Sequence, residues 1–310
     1  MPGRAHALIA IVGPTAVGKT ETGIEISEAL DGEIVSADSR LIYRGMDIGT
    51  AKPSTEQLSR IPHHLIDIAE PEESWSLAQF KEAADQAIAA VHNRNRLPLL
   101  VGGTGQYVSA ILEGWLPPPR SPDDSLRSKF EGIAAEQGAS ALHAQLEAVD
   151  PQSASTIDPA NVRRVARALE VYELTGSPLS EQRRSNPPNY RVLKLGLNLP
   201  REELYRRIDA RIDQMLDRGL VAEVQALLNR GIEPDHPPMS AIGYRQIGDY
   251  LRGNGTLEEA VAEMRRLTRQ FVRRQANWFK VDDPGIEWNQ VRPDLASRLI
   301  DRIRTWLKAD

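Results

Sequence analysis

The chain has 310 residues, a formal net charge of −5 and no cysteine. This length is typical of one large domain or of two domains, and a hydrophobic fraction of 41% is enough to build a core. The absence of cysteine excludes disulfides, a thiol nucleophile and a cysteine-based zinc site. The negative total charge excludes a wholly basic coat for nucleic acid, although it leaves room for local basic patches.

No apolar run approaches the ~20 residues that span a bilayer. The apolar stretch near the N-terminus runs directly into residues 13–20, so it predicts a core strand and not a signal peptide. We therefore expect a cytoplasmic protein without a membrane segment, and the lack of cysteine fits a reducing compartment.

Residues 13–20, GPTAVGKT, fit the phosphate-loop pattern G-x-x-x-x-G-K-[ST]. A predicted strand (7–12) precedes them and a predicted helix (21–30) follows, which is the context this loop requires. Backbone N–H groups and the helix N-terminus would hold a di- or triphosphate. Lys19 would reach the outer phosphate and the Thr20 hydroxyl would bind Mg²⁺. The predicted phosphate-binding residues are Gly13, Pro14, Thr15, Ala16, Val17, Gly18, Lys19 and Thr20.

Short apolar strands alternate with helices over the first third of the chain. Strands are predicted at 32–36, 64–68 and 97–101, with an amphipathic helix at 76–93 between the last two. This alternation indicates an α/β fold of the P-loop NTPase type, with a parallel sheet and helices on both faces.

Two Pro-rich breaks interrupt this alternation, at 116–122 and at 185–189. The residues between them, from 123 to about 175, are predicted to be helical, and a strand returns at 192–197. We therefore expect a P-loop core in residues 1–116, an all-helical insertion domain in 117–190, and the rest of the core in 191–310. Later elements are predicted as helices at 201–230, 241–251, 257–279 and 295–308, with a short strand at 287–288.

Asp38 ends the second predicted strand. One helix and one strand separate it from Thr20, so the fold would return it beside the phosphate loop. There its carboxylate can bind Mg²⁺ or act as a general base. A helix N-cap formed by Asp38 or Ser39 is the structural alternative.

The fourth predicted strand ends in Gly102-Gly103-Thr104-Gly105, where many nucleotide hydrolases carry an acidic Mg²⁺ ligand. The glycines weaken a simple ATPase interpretation. Thr104 could bond a ligand, with a bare structural turn as the alternative.

Two arginine clusters stand out in this acidic chain. Each could be a solvated helix face, but two clusters of one sign suggest a polyanionic partner. Aromatic residues make up only 5% of the chain, so contacts are expected mostly with phosphates. The clusters consist of Arg163, Arg164 and Arg167, and of Arg265, Arg266, Arg269, Arg273 and Arg274.

The helix that carries the second cluster also has a predicted core stripe. Its members recur at helical spacing, and they are Leu257, Val261, Met264, Leu267, Phe271 and Trp278.

A further group, Arg206, Arg207 and Arg211, follows the returning strand and could neutralise a leaving group. His63 and His64 lack partners at metal-ligand spacing, so we interpret them as structural.

Motifs spread over most of the chain occur in the order of one family. They are GPTAVGKT, DSRLIY (38–43), GTAKP (49–53), PHHLID (62–67), GGTGQY (102–107), RALEVYELTG (167–176), MSAIGYRQI (239–247) and TRQFVRRQANW (268–278). From about residue 6 to about 279 the chain resembles the bacterial tRNA dimethylallyltransferases, also called tRNA isopentenyltransferases.

The resemblance implies that the loop holds dimethylallyl diphosphate and not ATP. The N6 amine of the adenine 3′ to the anticodon would attack the allylic carbon, and Asp38 would take its proton. Lys19, Mg²⁺ on Thr20, and Arg211 or Arg207 would stabilise the leaving pyrophosphate, with Arg211 preferred. No hydrolytic water is needed, which accounts for Gly102-Gly103.

The resemblance also implies contacts with tRNA, with the helical insertion clamping the anticodon arm. The family usually has glutamine where Leu41 stands and an apolar residue where Gln106 stands. A monomer is expected. The implied tRNA contacts are Asp38, Ser39, Arg40, Leu41, Thr104, Arg127, Arg163, Arg164, Val165, Ala166 and Arg167.

Two other functions remain as alternatives. A small-molecule kinase of this fold would bind ATP and use Asp38 on an acceptor hydroxyl, but it needs only a short lid and not a large helical insertion. A non-enzymatic RNA-binding ATPase would hydrolyse ATP when RNA binds, which the missing acidic residue at the fourth strand opposes.

Overall fold

The computed structural model describes residues 6–116, 124–182 and 186–309. These residues form two compact units. The first contains the described residues of Met1–Trp75, Lys81–Leu112 and Asn189–Asp310, and the second those of Ser76–Phe80 and Glu113–Pro188. Most of the predicted linker, residues 117–122, and Ser185 of the second break lie outside the described residues.

A six-stranded parallel sheet organises the first unit, in the order β3-β2-β4-β1-β5-β6. Every residue of β1, β2 and β4 is buried, which requires cover on both faces of the sheet. The predicted α/β class with a parallel sheet is confirmed. The strands are β1 (Ala7–Val12), β2 (Gly32–Ala37), β3 (His63–His64), β4 (Leu97–Gly102), β5 (Arg191–Asn198) and β6 (Glu287–Gln290).

Helices connect the strands of this sheet and also make up the second unit. In chain order they are α1 (Lys19–Leu30), α2 (Thr55–Arg60), α3 (Leu77–Asn93), α4 (Gly105–Leu112), α5 (Asp124–Gln137), α6 (Ala139–Val149), α7 (Pro151–Ala154), α8 (Val162–Thr175), α9 (Leu179–Gln182), α10 (Arg201–Asp217), α11 (Leu220–Asn229), α12 (Tyr244–Leu251), α13 (Leu257–Ala276) and α14 (Leu295–Lys308), with a 3₁₀ turn at Pro237–Ser240.

Two predicted elements differ from the structure for local backbone reasons. The pattern predicts a third strand at 64–68, but β3 ends at His64 because Leu65 and Asp67 adopt left-handed φ values of 63° and 55°. The single helix predicted at 201–230 is divided into α10 and α11, since Gly219 has φ 97° at the N-cap of α11. Both breaks occur where φ becomes positive, outside the φ/ψ region of a β-strand or an α-helix.

The two units have separate apolar cores. In the first, the helix α14 buries Leu295, Leu299 and Ile303 along one stripe and packs against α1. In the second, α5, α6 and α8 pack together around residues such as Phe130 and Leu142. The buried residues of α14 recur every four residues, which places their side chains on one face of the helix.

Within the described parts of the chain, no helix is both long enough and apolar enough to cross a membrane.

A buried carboxylate ties β2 to its neighbours in the first unit. Glu33 is 1% exposed and accepts hydrogen bonds from Arg94 Nη2 at 2.6 Å, Arg96 Nη1 at 3.3 Å and His64 Nε2 at 2.6 Å. Burial by itself would raise the pKa of Glu33, but the bonds from Arg94 and His64 outweigh it and lower the pKa to about 2. His64 therefore has a structural partner, as its sequence context suggested.

Replacing Glu33 with glutamine should lower the free energy of unfolding by about 1–3 kcal/mol at pH 7, because hydrogen bonds to a charged group are lost. The pKa of Glu33 is about 2 in the folded protein against an ordinary 4.5. The stabilisation is thus complete above about pH 4.5 and disappears as the pH falls towards 2. Urea unfolding of both proteins should show their stability difference shrinking between pH 5 and pH 3; a difference independent of pH would contradict this.

Candidate active site

The phosphate loop connects β1 to α1 and depends on left-handed backbone. Gly13 has φ 144°, and a Cβ there would lie 2.5 Å from the carbonyl oxygen of Leu197. Gly18 has φ 108° and forms the N-cap of α1. A side chain at Gly13 would push the loop off β5, so the glycine sets the curl that turns successive N–H groups inwards.

Lys19 folds back over its own loop. Its Nζ donates to the carbonyl oxygens of Gly13 at 3.0 Å and Pro14 at 2.8 Å. Burial lowers the pKa of Lys19 to about 8; the nearby Asp38 carboxylate opposes this shift and the Arg211 guanidinium adds to it. The structure therefore brings together three residues that the sequence placed in one site. Thr20 follows in the first turn of α1 and is partly exposed.

Asp38 follows β2 and turns the chain back without starting a helix. Its Oδ1 accepts the Arg40 N–H at 2.8 Å, and no other hydrogen bond within the described residues reaches the carboxylate. The Ser39 N–H donates to Thr104 Oγ1 at 3.2 Å. The next helix, α2, begins only at Thr55, so the N-cap alternative is wrong. Asp38 keeps Oδ2 available to a ligand.

A cavity of about 500 Å³ in the first unit gathers these groups. Its polar lining includes Thr15, Asp38, Thr104, Arg211, Arg274 and Gln275. Its apolar lining includes Ile208, Ile212, Met215, Met264, Phe271 and Trp278. A ligand with a charged end and a short hydrocarbon end fits such a cavity better than a uniformly polar ligand does.

Of the three candidate arginines Arg206, Arg207 and Arg211, all on α10, only Arg211 lines the cavity. Its spacing from Ile208 and Ile212 puts it on the helix face that forms the cavity wall, and burial lowers its pKa. Arg206 and Arg207 are exposed, and Arg207 Nη2 donates to Glu203 at 2.8 Å. The preference for Arg211 as the residue near the phosphate loop agrees with this geometry.

Gln275, on the last turn of α13, is a site residue that sequence reasoning missed. Its side chain is 5% exposed. Its Oε1 accepts the Thr15 N–H at 2.9 Å, and its Nε2 donates to the Gly103 carbonyl at 3.0 Å. A Cβ at Gly103 would lie 2.4 Å from that Nε2. The available signal is the position of Gln275 within the TRQFVRRQANW motif, since pattern alone treats a glutamine on a helix as surface.

The sequence predicts a core stripe and a basic face on the helix α13, and the structure departs from both predictions. The stripe places Trp278 in the core, but this residue lies beyond the end of α13, is 45% exposed and lines the cavity. Three of the cluster's arginines, Arg265, Arg266 and Arg269, form ion pairs with Asp213, Glu263 and Asp209. These pairs neutralise much of the expected basic patch, because the acids come from α10 and from α13 itself.

The GTAKP loop forms another wall of the cavity and is held by α11. Glu223 accepts the N–H groups of Asp47, Ile48 and Gly49 at 2.8–3.1 Å, and it also accepts the Tyr244 hydroxyl at 2.6 Å. Arg40, which also lines the cavity, donates from its Nη1 to the Pro237 carbonyl of the 3₁₀ turn at 2.8 Å. Both loops are therefore anchored by hydrogen bonds to residues far away in sequence.

The remaining predicted tRNA contacts lie in the second unit. Arg163 and Arg164 are exposed on α8, whereas Arg167 pairs with the buried Glu170 at 2.7 Å. Val165 and Ala166 are 0% exposed in the core of this unit, so a tRNA contact by these two side chains is wrong: they face inwards to fill the α5–α6–α8 core. Arg127 lies on α5 and is partly exposed.

Comparison with known proteins adds independent information. The model of a family described as IPP transferase matches residues 41–282. A tRNA dimethylallyltransferase of Roseiflexus sp. (strain RS-1) is 49% identical over 302 residues, which cover 97% of this chain and 99% of that relative.

Two solved structures also match over nearly the whole chain. The full-length tRNA isopentenylpyrophosphate transferase of Bacillus halodurans is 42% identical with a TM-score of 0.73, covering 98% of this chain and 97% of that one. A eukaryotic dimethylallyltransferase acting on tRNA has a TM-score of 0.80 at 26% identity, covering 97% of this chain and 79% of that one.

The affinity for inorganic pyrophosphate should fall as the pH rises through about 8, because the Lys19 ammonium loses its proton there. With a pKa near 8, about a tenfold loss attributable to Lys19 is expected by pH 9. Isothermal calorimetry on the wild type and on Lys19→Met checks this. The pH dependence of binding to the variant reflects protonation of pyrophosphate alone, whereas that of the wild type also reflects protonation of Lys19. Parallel pH profiles for the two proteins would refute the assignment.

Proposed function

The chain belongs to the IPP transferase family, and we propose that it transfers the dimethylallyl group of dimethylallyl diphosphate to tRNA. The acceptor is the exocyclic N6 amine of the adenine adjacent (3′) to the anticodon, and pyrophosphate is released. The family membership confirms the resemblance found in the motifs. The observation that carries the proposal is the cavity that joins a phosphate loop, a carboxylate and an apolar wall.

The phosphate loop suits the diphosphate end of the donor. Thr15 and Ala16 of the loop and Arg211 of α10 line the cavity, and Arg211 lies close enough to the adjoining Lys19 to lower the pKa of its ammonium group. Two cations held apart from water stabilise the negative charge that develops as the carbon–oxygen bond breaks. The loop amides supply further donors at the N-terminus of α1.

The apolar lining of the same cavity suits the hydrocarbon end. Ile208 and Ile212 flank Arg211 on one face of α10, and Met264 of α13 also lines the cavity. A branched five-carbon chain next to Arg211 would bury its apolar surface there. The relatives named above are transferases of dimethylallyl or isopentenyl groups by name, which argues against the kinase alternative.

Asp38 suits the role of general base. The lone pair of the adenine N6 is delocalised into the ring, so the amine is a weak nucleophile. As the N6–carbon bond forms and the carbon–oxygen bond to pyrophosphate breaks, the open Oδ2 of Asp38 takes the N6 proton. The donated Arg40 N–H on Oδ1 holds the carboxylate in one orientation while this happens.

The donor set fits Mg²⁺ held jointly with the substrate. Within the described residues no three acidic or histidine side chains form a cluster, so an all-protein cage is not what these residues provide. Mg²⁺ is commonly bound by one or two protein oxygens plus substrate phosphates and waters, and the Thr20 hydroxyl is such an oxygen. When bound, the ion would neutralise the diphosphate and its leaving charge.

The tRNA side of the proposal rests on the exposed arginines and on the relatives. Arg163 and Arg164 in the second unit and Arg273 on α13 are exposed cations suited to phosphate contacts. The relatives named above are tRNA-modifying enzymes by name. The target adenine must leave its stack to reach a cavity of this kind. We propose further that the protein acts as a monomer in the cytoplasm.

Purified protein with Mg²⁺, radiolabelled dimethylallyl diphosphate and unmodified tRNA should incorporate label into the RNA. Asp38→Ala should reduce incorporation by at least a hundredfold, because general-base catalysis contributes on the order of 10²–10⁴. Binding of inorganic pyrophosphate to the variant should survive. Loss of pyrophosphate binding would argue against a base role for Asp38, and ATP turnover without label transfer would argue for the kinase.

Arg211→Gln should lower the rate of transfer by roughly 10²–10³, in the range seen when one stabilising donor is removed from a transition state. Arg207→Gln is its matched control on the same helix, since the one ion pair of Arg207 within the described part of the chain is an exposed pair with Glu203. That control should transfer within twofold of the wild type under single-turnover conditions. Equal losses in the two variants would mean that Arg211 has no special role.

A further inference from the structure

Gln275 occupies an unusual place for a buried amide, because it bonds to two loops that both line the cavity. Its Oε1 takes the N–H of Thr15 at 2.9 Å, on the phosphate loop. Its Nε2 donates to the carbonyl of Gly103 at 3.0 Å, at the end of β4. With 5% of its surface exposed, the side chain has both of its polar ends engaged.

The chain of contacts continues from Gly103 towards the carboxylate. Thr104, the next residue, accepts the N–H of Ser39 on its Oγ1 at 3.2 Å, and its own N–H donates to the Ala37 carbonyl at 3.3 Å. These two bonds hold the backbone on either side of Asp38. The phosphate loop is therefore connected to Asp38 through the hydrogen bonds of Gln275, the adjacent residues Gly103 and Thr104, and the hydrogen bonds of Thr104.

We infer that Gln275 is a positioning residue that sets the distance between the donor diphosphate and the Asp38 carboxylate. The inference rests on the proposed function, because it concerns the two reactants of that transfer. Gln275 itself touches neither reacting atom. It acts by joining the loop that holds the leaving group to the strand end that orients the base.

The engagement of Thr15 has a second consequence. Its N–H belongs to the phosphate loop, yet it is held by Gln275 and is withdrawn from the ligand. The diphosphate is then held by the donors of residues 16–20, beside Lys19. Gln275 thus determines which part of the loop binds the leaving group, and it sets the distance of that part from the Asp38 carboxylate.

A residue that only shaped the loop would behave differently from a residue that sets this register. If Gln275 merely supported the loop, its removal would weaken the grip on the diphosphate. If it sets the register, its removal frees the Thr15 amide to bind phosphate, so affinity for the donor persists while the reactants are misaligned. A misplacement of about 1 Å can cost 10²-fold in rate.

The test is the steady-state kinetics of Gln275→Met, in which the side chain keeps its length and loses both hydrogen bonds. We expect kcat for label transfer to fall at least tenfold, while the KM for dimethylallyl diphosphate stays within threefold or decreases. Gln246→Met is the matched control, since Gln246 is also a buried glutamine, 8% exposed, whose one side-chain hydrogen bond among the described residues is to the Gly243 N–H of its own helix start. Its kcat should stay within twofold.

Urea unfolding of both variants shows whether they fold. Where Gln275→Met is unfolded at the assay temperature, Gln275→Asn replaces it, because it keeps the amide but is one methylene too short to reach both partners. An unchanged kcat, or a loss confined to a higher KM for the donor, overturns the inference while the proposed function stands. A wild-type protein that transfers no label overturns both.

Discussion

The parallel direction of β1, β2 and β4 is the constraint on which the site depends. Because the three strands point the same way, their carboxyl ends reach one edge of the sheet. The phosphate loop, Asp38 and Thr104 each follow one of these ends. Residues that are widely separated in sequence therefore meet without a long loop, and all three strands that lead to this edge are buried.

The electrostatics of the site are set by three partly buried charged groups that lie close together: Lys19, Arg211 and Asp38. Taking an amine out of water disfavours its charged form, which is why the pKa of Lys19 falls to about 8. Asp38 offsets part of that cost and Arg211 increases it. Without a ligand this cluster has two cations, Lys19 and Arg211, and one carboxylate, Asp38. An anionic diphosphate would supply the missing negative charge. The same arrangement that costs stability in the free protein favours binding.

The C-terminal part of the core does more than cover the sheet. Helix α10 supplies Arg211 and the apolar wall, α11 anchors the GTAKP loop through Glu223, and α13 supplies Gln275. A phosphate loop on its own binds phosphate in many unrelated proteins. These helices add the apolar and positioning groups that distinguish a prenyl transfer from hydrolysis of a nucleotide.

The local patterns in the sequence were sufficient for the sheet, the phosphate loop and most of the helices. Each depends on neighbours within a few residues: an apolar run, a glycine at a left-handed position, a period of three to four. The same reasoning placed Lys19 and Asp38 at one edge, because the carboxyl ends of parallel strands in an α/β fold share one edge of the sheet.

Only the tertiary structure decided which polar side chains face the cavity. It separated Arg211 from Arg206 and Arg207, and it paired Arg265, Arg266 and Arg269 with acids of α10 and α13. It also revealed Gln275, whose two partners precede it by 260 and 172 residues. A helix face can be predicted from periodicity, but what that face meets depends on how distant elements pack, and no local pattern encodes that contact.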